Sequence, residues 1–342
     1  MYNVFADLHH FGLFNSLKLL FEDRLGGTLY RPIGEEWLHK GYWRMAEIYN
    51  NHPATVAQYL GIRPDYPLVD GVYRIYEAGH DFTQNAITLD TFFSLPIDVV
   101  IATIPEHIES FKRLCAAHPN HPKLIYQIGN AWPVEAGLAP NIMASAKIAN
   151  VPANINFIEY HQEFDLKIFK PAPPVDTKNI YSFINCLNTA SIYAADWDLF
   201  QKLEGAMPDW VWRSYGGSCR DGQANGQLEV AQMMSLSRFV WHTKAFGDGY
   251  GHVLHNSAAM ARPTITKRQY YVGKLGEALM QDGKTCIAID DLGIDEIVNK
   301  INHYNQPELY YQMVQNVADN FREVVSFDSE AQRIKTFLEN LV

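Results

Sequence analysis

The chain has 342 residues, of which 47% are hydrophobic and 19% are charged, so it can bury packed cores and has no compositional case for disorder. Its length exceeds one ordinary domain and suits two domains of roughly 150 residues each. The net charge of −10 is shared by both halves, which argues against capture of nucleic acid over a broad basic surface.

The start of the chain and its cysteines indicate a cytoplasmic protein. The segment MYNVFADLHH lacks the basic start and apolar core of a signal peptide, and no apolar run reaches the ~20 residues that span a bilayer. The 4 cysteines lack the paired spacing of zinc sites or disulfide frameworks. We therefore expect a reduced compartment, no transmembrane segment and no metal.

The first half of the chain alternates strand-length apolar runs with helix-period segments. Strands are predicted at NVFA (residues 3–6), IDVVIAT (97–103), KLIYQ (123–127) and INFIEY (155–160). A helix is predicted from Pro105, because proline suits a first helical turn and apolar residues then recur on one face. This alternation is typical of a parallel sheet with crossover helices, so residues 1–170 predict a Rossmann-like α/β domain.

The segment KPAPPVD, residues 170–176, is the best boundary signal. Its 3 prolines exclude the interior of a helix or a sheet, so we expect a hinge there. A second α/β series follows over residues 171–326. Strands are predicted at residues 181–187, 210–215 and 239–244, and helices from about Ala194 and Gln227.

Residues 327–342 predict an amphipathic C-terminal helix. Apolar side chains recur there at helical spacing, behind possible caps at Ser326 and Asp328. The apolar stripe consists of Phe327, Ile334, Phe337, Leu338 and Leu341. We expect this helix to pack at the domain junction or back on the N-terminal domain, because the stripe needs a partner surface.

The most informative run is FGDGYGHVLHNSAAMARPTI, residues 246–265. Its glycines permit a tight loop and close approach of a ligand to the backbone. From about His252 the chain can be helical until Pro263, and the free N–H groups of a helix start bind phosphate. A strand-to-helix turn without a ligand is the alternative interpretation of this pattern.

This segment resembles the nucleotide-sugar motif of retaining GT-B glycosyltransferases. In that family an acidic residue precedes a Gly-aromatic-Gly turn, a second acidic residue follows on the helix, and a proline opens the next strand. The matching positions here are Asp248, Gly249, Tyr250, Gly251, Asn256 and Pro263. The resemblance implies an α/β fold of two Rossmann-like domains facing a cleft. It also implies a UDP- or GDP-sugar as co-substrate, held by the C-terminal domain, with no other cofactor.

Two positions depart from the family pattern. Asp248 is one methylene shorter than the usual glutamate, and Asn256 replaces a carboxylate that binds the ribose in the family, although an amide can also bond a diol. The resemblance also implies two basic residues on the diphosphate, for which Arg213, Arg220 and Lys244 are the candidates. The predicted donor-binding residues are Gly12, Arg213, Lys244, Asp248, Gly249, Tyr250, Gly251, His252 and Asn256.

Candidate catalytic residues follow the strands of the N-terminal domain, where open α/β sheets place their ligands. After the first strand come Asp7, His9 and His10. Two further clusters are Glu77 with His80 and Asp81, and Glu106 with His107. An imidazole can donate to a sugar hydroxyl or the leaving phosphate, or accept the acceptor's proton. We take His9, His10, His80 and Asp81 as catalytic candidates, with capping or packing as the alternative for each histidine.

Asp196-Trp197-Asp198 matches the metal-binding Asp-x-Asp pattern of the other large glycosyltransferase fold. Its predicted place at the start of a helix favours helix capping by the acidic residues instead. No His, Cys and Asp set has metal-ligand spacing. The sequence therefore predicts a site that works without a metal.

The sequence predicts a metal-independent glycosyltransferase, and retention of configuration is implied by the resemblance alone. Two other functions stay open: a non-catalytic sugar-nucleotide-binding or scaffold protein of the same fold, and a sugar-nucleotide epimerase. The acceptor is open among a glycan, a small metabolite, a lipid-linked intermediate and a modified nucleic-acid base, because function lies in the site and not in the architecture.

Overall fold

The computed structural model describes residues 1–8, 10–45, 52–76, 82–129, 138–245 and 247–342. The chain divides into two compact units, one of residues 1–163 with 327–342 and the other of residues 164–326. The second unit therefore begins before the KPAPPVD segment. Two hydrogen bonds hold this segment against the second unit. The N–H of Ala172 donates to Met260 O at 3.2 Å, and the carbonyl of Pro173 accepts from Arg262 at 2.6 Å.

The first unit is built on a nine-stranded sheet with the strand order β3-β4-β5-β2-β1-β6-β7-β8-β9. The strands are β1 (Asn3–Ala6), β2 (Thr28–Pro32), β3 (Leu68–Val69), β4 (Val72–Tyr76), β5 (Thr83–Ile87), β6 (Val99–Ala102), β7 (Lys123–Ile128), β8 (Asn141–Ala144) and β9 (Asn156–Glu159). Only the β3–β4 and β4–β5 pairs among the described strands are antiparallel. The strands predicted at β1, β6, β7 and β9 are confirmed.

Helices cover the sheet of the first unit. They are α1 (Phe11–Lys18), which continues into a π-helical turn (Leu19–Arg24), α2 (Glu36–His39), α3 (Pro53–Leu60), α4 (Leu89–Ser94) and α5 (Pro105–Ala117). The helix predicted from Pro105 is confirmed as α5, and it buries Ile108, Phe111 and Leu114. The all-apolar strand β6 is fully buried, as expected for a central parallel strand covered on both faces.

The second unit contains a five-stranded parallel sheet with the order β11-β10-β12-β13-β14. Its strands are β10 (Asn179–Ser182), β11 (Val211–Ser214), β12 (Phe239–Trp241), β13 (Thr264–Thr266) and β14 (Cys286–Ala288). Its helices are α6 (Ala194–Ala206), α7 (Gly226–Ser235), α8 (His252–Ala259), α9 (Ile294–Tyr304) and α10 (Pro307–Val324). Short 3₁₀ turns lie at Ser191–Tyr193, Arg268–Tyr271 and Leu275–Leu279.

Two strands of the second unit end earlier than the sequence predicts. The strand expected at residues 181–187 is β10, which begins at Asn179 and ends at Ser182. The chain turns soon afterwards, because Cys186 adopts a positive φ of 58° and extended pairing stops. The strand expected at residues 239–244 ends at Trp241, so the polar residues after it lie in a loop.

The C-terminal helix α11 (Phe327–Glu339) belongs to the first unit. It buries Ile334, Phe337 and Leu338 in the core of that unit. At its start the Glu330 carboxylate accepts the backbone N–H of His161 at 2.8 Å. Within the described ranges, no helix combines the length and apolar character that crossing a bilayer demands.

Candidate functional site

The loop between β12 and α8 has the conformation that its glycines allow. Gly251 is the N-cap of α8 with φ 84° and ψ 60°, a left-handed conformation that side chains disfavour. The helix begins at His252, the residue where the sequence predicts it. As in every α-helix, the first N–H groups lack intrahelical partners and point out of the helix start, where they favour an anion.

Three polar side chains after β12 form one cluster behind this helix start. Asp248 Oδ2 accepts from His242 Nε2 at 2.7 Å, and Asp248 Oδ1 accepts from the Lys244 ammonium. His242 is only 1% exposed, whereas Lys244 keeps 30% of its side chain exposed. The Asp248 carboxylate therefore has a protein partner on each oxygen, and it holds a partly accessible lysine.

The charges of this cluster stabilise one another. Burial alone would raise the pKa of Asp248. The hydrogen bond from His242, the electrostatic attraction of His242 and the positive charge of Lys244 outweigh burial and hold that pKa well below its usual value. Burial opposes the charge of Lys244, yet Asp248 raises the pKa of the Lys244 ammonium. Both groups are therefore charged at neutral pH, and the ammonium is fixed in place.

A second lysine, Lys274, reaches the same loop from the segment between β13 and β14. A Cβ added at Gly247 would overlap Lys274 Nζ and Tyr270 O, so only glycine fits there. Burial lowers the pKa of Lys274, and the nearby charges of Asp248 and Lys244 act on it in opposite directions. No spacing pattern in the sequence links Lys274 to the loop, so it is not among the predicted donor-binding residues.

The remaining predicted residues of the glycine segment line the first turns of α8. The Tyr250 ring is buried and stacks on His255 at 4.0 Å, and His252 meets its edge at 5.0 Å. Asn256 Oδ1 is buried and has no hydrogen-bond partner among the described residues. The structure thus places Lys244, Asp248, Gly249, Tyr250 and Gly251 in the loop before α8, and His252 and Asn256 in the first turns of that helix.

Arg213 and Arg220 have other partners at the edge of the sheet. Arg213 lies on the edge strand β11 and donates to Asp221 at 2.9 Å. Arg220 donates to Asp221 at 3.0 Å and to Glu204 at 2.6 Å, with its guanidinium 5.4 Å from the ring of Trp197. We therefore leave both arginines out of the site that we propose.

The structure places two of the N-terminal candidates on α1. His10 is the N-cap of α1, and its Nδ1 accepts the N–H of Leu13 at 3.4 Å. It therefore has the capping role given above as the alternative to a catalytic one. Gly12 lies in the first turn of the same helix. The other catalytic candidates, His9, His80 and Asp81, lie outside the described residues, as does Glu77.

Asp7 and His107 form a buried pair that holds three segments of the first unit together. Asp7 Oδ2 bonds His107 Nδ1, and Asp7 Oδ1 accepts the N–H of Thr103 at 2.8 Å. His107 Nε2 accepts the N–H of Arg44 at 2.8 Å, so the proton lies on Nδ1. With 0% of the His107 side chain exposed, this pair is structural, contrary to the expectation that it faces a ligand.

We expect Asp7→Ala to lower the free energy of unfolding by roughly 3 kcal/mol, because it leaves a buried imidazole and a backbone N–H without their acceptor. Urea denaturation measures this change. The matched control is Asp98→Ala, because Asp98 is exposed and accepts one N–H, that of Asn3, at 2.8 Å. We expect about 1 kcal/mol for the control, and equal losses in the two variants would contradict the structural role.

Both aspartates of the Asp-x-Asp pattern form ion pairs with lysines. Asp196 lies in the first turn of α6 and binds Lys267 Nζ at 2.7 Å, and Asp198 pairs with Lys202 at 2.7 Å. The N-cap of α6 is Tyr193, whose side chain makes no capping hydrogen bond, so neither aspartate is the N-cap, but Asp196 lies in the first turn, where its charge favours the helix dipole as predicted. Among the described residues, no three or more His, Cys, Asp or Glu side chains are grouped to hold a metal ion.

Solved structures match the chain over its full length, although no family model matches its sequence and no curated protein is detectably similar. HepE from Anabaena in complex with UDP and glucose is 11% identical with a TM-score of 0.65 over 100% of both chains. The sucrose-phosphate synthase from Thermosynechococcus elongatus is 10% identical with a TM-score of 0.63 over 98% of both chains.

The pneumococcal O-GlcNAc transferase GtfA in complex with UDP and GlcNAc is 9% identical, with a TM-score of 0.59 over 99% of this chain and 98% of that chain. The structures that match are GT-B glycosyltransferases. The chain therefore has the GT-B fold, as predicted, with one Rossmann-like α/β unit in each half.

Proposed function

We propose that this protein is a glycosyltransferase that transfers a sugar from a nucleotide-diphosphate sugar. The observation that carries the proposal is the start of α8, where Gly251 opens the helix and Lys244 is held beside it by Asp248. A fold likeness to HepE and GtfA, both solved with UDP, supports the choice of a nucleotide donor.

In this proposal the donor diphosphate binds at the N-terminus of α8. The N–H groups of the first turn, which have no intrahelical partner, and the helix dipole favour a phosphate, and the Lys244 ammonium adds a full positive charge. When the bond between the sugar and the diphosphate breaks, negative charge builds up on the leaving phosphate. Groups fixed in advance around that charge stabilise the transition state more than they stabilise the bound donor.

Asp248 acts in the proposal by positioning Lys244. The sequence predicts Asp248 as a donor-binding residue, but both of its oxygens already accept hydrogen bonds from His242 and Lys244. Asn256 binds the ribose in this proposal, because its buried Oδ1 has no hydrogen-bond partner among the described residues and can accept a hydrogen bond from a ribose hydroxyl. Retention of configuration is part of the proposal and follows from the family resemblance.

A thermal-shift screen with UDP- and GDP-sugars tests the proposed function. A donor at a hundredfold its dissociation constant adds about 2.7 kcal/mol of stability, which raises the melting temperature measurably. The donor found is then incubated with glycans, small metabolites, lipid-linked sugars and modified nucleic-acid bases. Release of nucleoside diphosphate with an acceptor supports the transferase. A free epimer would indicate an epimerase, and binding without turnover a scaffold protein.

We expect transfer activity to persist in excess EDTA. The helix start and Lys244 supply positive charge to the leaving diphosphate, and the two carboxylates of the Asp-x-Asp pattern are already paired with Lys267 and Lys202. The measurement is nucleoside diphosphate release before and after chelation. Loss of turnover that Mg²⁺ or Mn²⁺ restores would contradict this prediction.

A further inference from the structure

We propose that the first unit binds a hydroxyl group of the glycosyl acceptor at a buried cluster of uncharged polar side chains, and that this acceptor is a neutral sugar. This amide cluster consists of Gln127, Ser145, Tyr160 and Gln162. The inference rests on the proposed function, because it assigns the ligand of the amide cluster to the acceptor of the transfer reaction. It names a substrate class that the start of α8 does not determine.

The amide cluster lies where three neighbouring strands end. Gln127 is the second-last residue of β7, Ser145 directly follows β8, and Tyr160 and Gln162 come just after β9. These strands are parallel neighbours in the sheet, so their carboxyl ends share one edge. Open α/β sheets bind their ligands outside this edge, which makes polar side chains there candidates for ligand binding.

The hydrogen bonds of Ser145 fix the orientation of both amide groups. Its hydroxyl has one proton, which it donates to Ile128 O at 3.2 Å. The same hydroxyl oxygen accepts from Gln127 Nε2 at 3.1 Å and from Gln162 Nε2 at 2.6 Å. Both glutamines therefore direct their NH₂ groups to Ser145, and neither Oε1 atom can bond there.

The two Oε1 atoms of the amide cluster are buried and have no hydrogen-bond partner among the described residues. Gln127 and Gln162 are 0% and 3% exposed, so bulk water does not compensate these oxygens. A buried oxygen that accepts no hydrogen bond costs free energy. A ligand hydroxyl that donates to such an oxygen removes this cost.

Gly129 leaves space beside the amide groups. A Cβ added there would lie 3.4 Å from Gln162 Nε2 and 3.8 Å from Gln127 Oε1, which is ordinary contact without overlap. Since glycine has no side chain, its own residue does not fill this space. Gly129 is also only half-buried, so this side of the amide cluster reaches the surface of the unit. We therefore place the ligand hydroxyl beside Gly129.

The chemistry of the amide cluster favours a neutral ligand. Burial raises the pKa of Tyr160, so its hydroxyl stays protonated and all four side chains are uncharged. Gln127 Nε2 donates to both Ser145 and Tyr160, so what Gln127 has left for a ligand is an oxygen that accepts. A sugar hydroxyl can donate to that oxygen, whereas a phosphate or carboxylate cannot. Among the acceptors that the sequence leaves open, this favours an unphosphorylated sugar or glycan.

Titration with glucose, galactose and N-acetylglucosamine, each compared with its 6-phosphate, tests the inference by saturation-transfer NMR and calorimetry. We expect the wild type to bind at least one neutral sugar, and to bind it more tightly than its 6-phosphate. Gly129→Ala should raise the dissociation constant for that sugar roughly tenfold, because the methyl group fills the space beside the amides without overlapping them. Gly205→Ala on α6 is the matched control, since Gly205 is exposed and a Cβ there meets open space.

A second variant, Gln127→Met, removes the amide oxygen, and its sugar affinity should fall as in Gly129→Ala. If Gln127→Met only lowers the melting temperature while Gly129→Ala binds sugar like the wild type, the amide cluster is structural and the inference is wrong. A wild type that binds none of the three neutral sugars, or binds the 6-phosphates more tightly, also overturns it.

Titration of the same proteins with UDP and GDP separates this inference from the proposed function. The nucleotide affinity of Gly129→Ala should equal that of the wild type, because the proposed donor site lies in the second unit. If the wild type binds nucleotide but no sugar, the inference fails and the proposed function stands. If it binds sugar but neither UDP nor GDP, the proposed function fails, and the assignment of the amide cluster to an acceptor fails with it.

Discussion

Removal of residues 327–342 is expected to unfold the first unit. The deletion strips α11 from the sheet core, where Phe327, Ile334, Phe337 and Leu338 are 5%, 1%, 5% and 4% exposed. Burying one such side chain stabilises by roughly 1.5–3 kcal/mol, so four contribute roughly 6–12 kcal/mol, as much as the whole stability of an ordinary domain. Circular dichroism during urea denaturation measures the loss, and turnover should fall although no proposed donor ligand is removed.

Two neighbouring residues on α11 give a matched pair for this experiment. Ile334 is 1% exposed and Lys335 is on the solvent side of the helix. We expect Ile334→Ala to cost roughly 2–5 kcal/mol and Lys335→Ala less than about 0.5 kcal/mol. A truncated chain that keeps the wild-type melting temperature and rate would show that α11 is dispensable.

Replacement of Lys244 by Met is expected to reduce kcat/KM for the donor by roughly 10²–10³, the effect of removing one preorganised charge from a transition state. The loss has two sources. The leaving phosphate loses a cation, and the Asp248 carboxylate, left with His242 alone, then repels the phosphate. Steady-state kinetics measure the effect with the donor that the thermal-shift screen selects.

A double variant separates the two sources. Adding Asp248→Asn to Lys244→Met removes the repelling carboxylate, so the double variant should bind donor better than Lys244→Met alone. Lys202→Met serves as the control, because Lys202 forms an exposed ion pair with Asp198 on α6. A Lys244→Met variant with wild-type kcat/KM would remove Lys244 from the proposed mechanism.

The donor segment was predictable because its signals are local. Glycine is the residue that takes the φ of 84° at Gly251 readily, and the helix that follows ends before Pro263 can open β13. The strands β1 and β6 were predictable for a similar reason, since continuous apolar runs fit strands buried on both faces. Each of these features is specified within one short stretch of chain.

Features set by distant residues were not predictable. Strand β5 contains Gln84 and Asn85, which look exposed in sequence but are buried, and Asn85 is satisfied by Glu22 at 2.9 Å. Lys274 meets Gly247 only because the 3₁₀ turns after β13 fold back on the loop. In the same way, Asp7 follows a strand, where a ligand-binding residue is expected, but it pairs with His107 and its role is structural.

A crystal structure of the protein with UDP tests the central claim most directly, since that claim concerns where a donor diphosphate binds. We expect the diphosphate within hydrogen-bond distance of the backbone N–H groups of His252 and Val253 and of Lys244 Nζ, with the ribose at Asn256. A diphosphate bound at Arg213 and Arg220 instead, or no bound nucleotide at saturating UDP, would contradict the account.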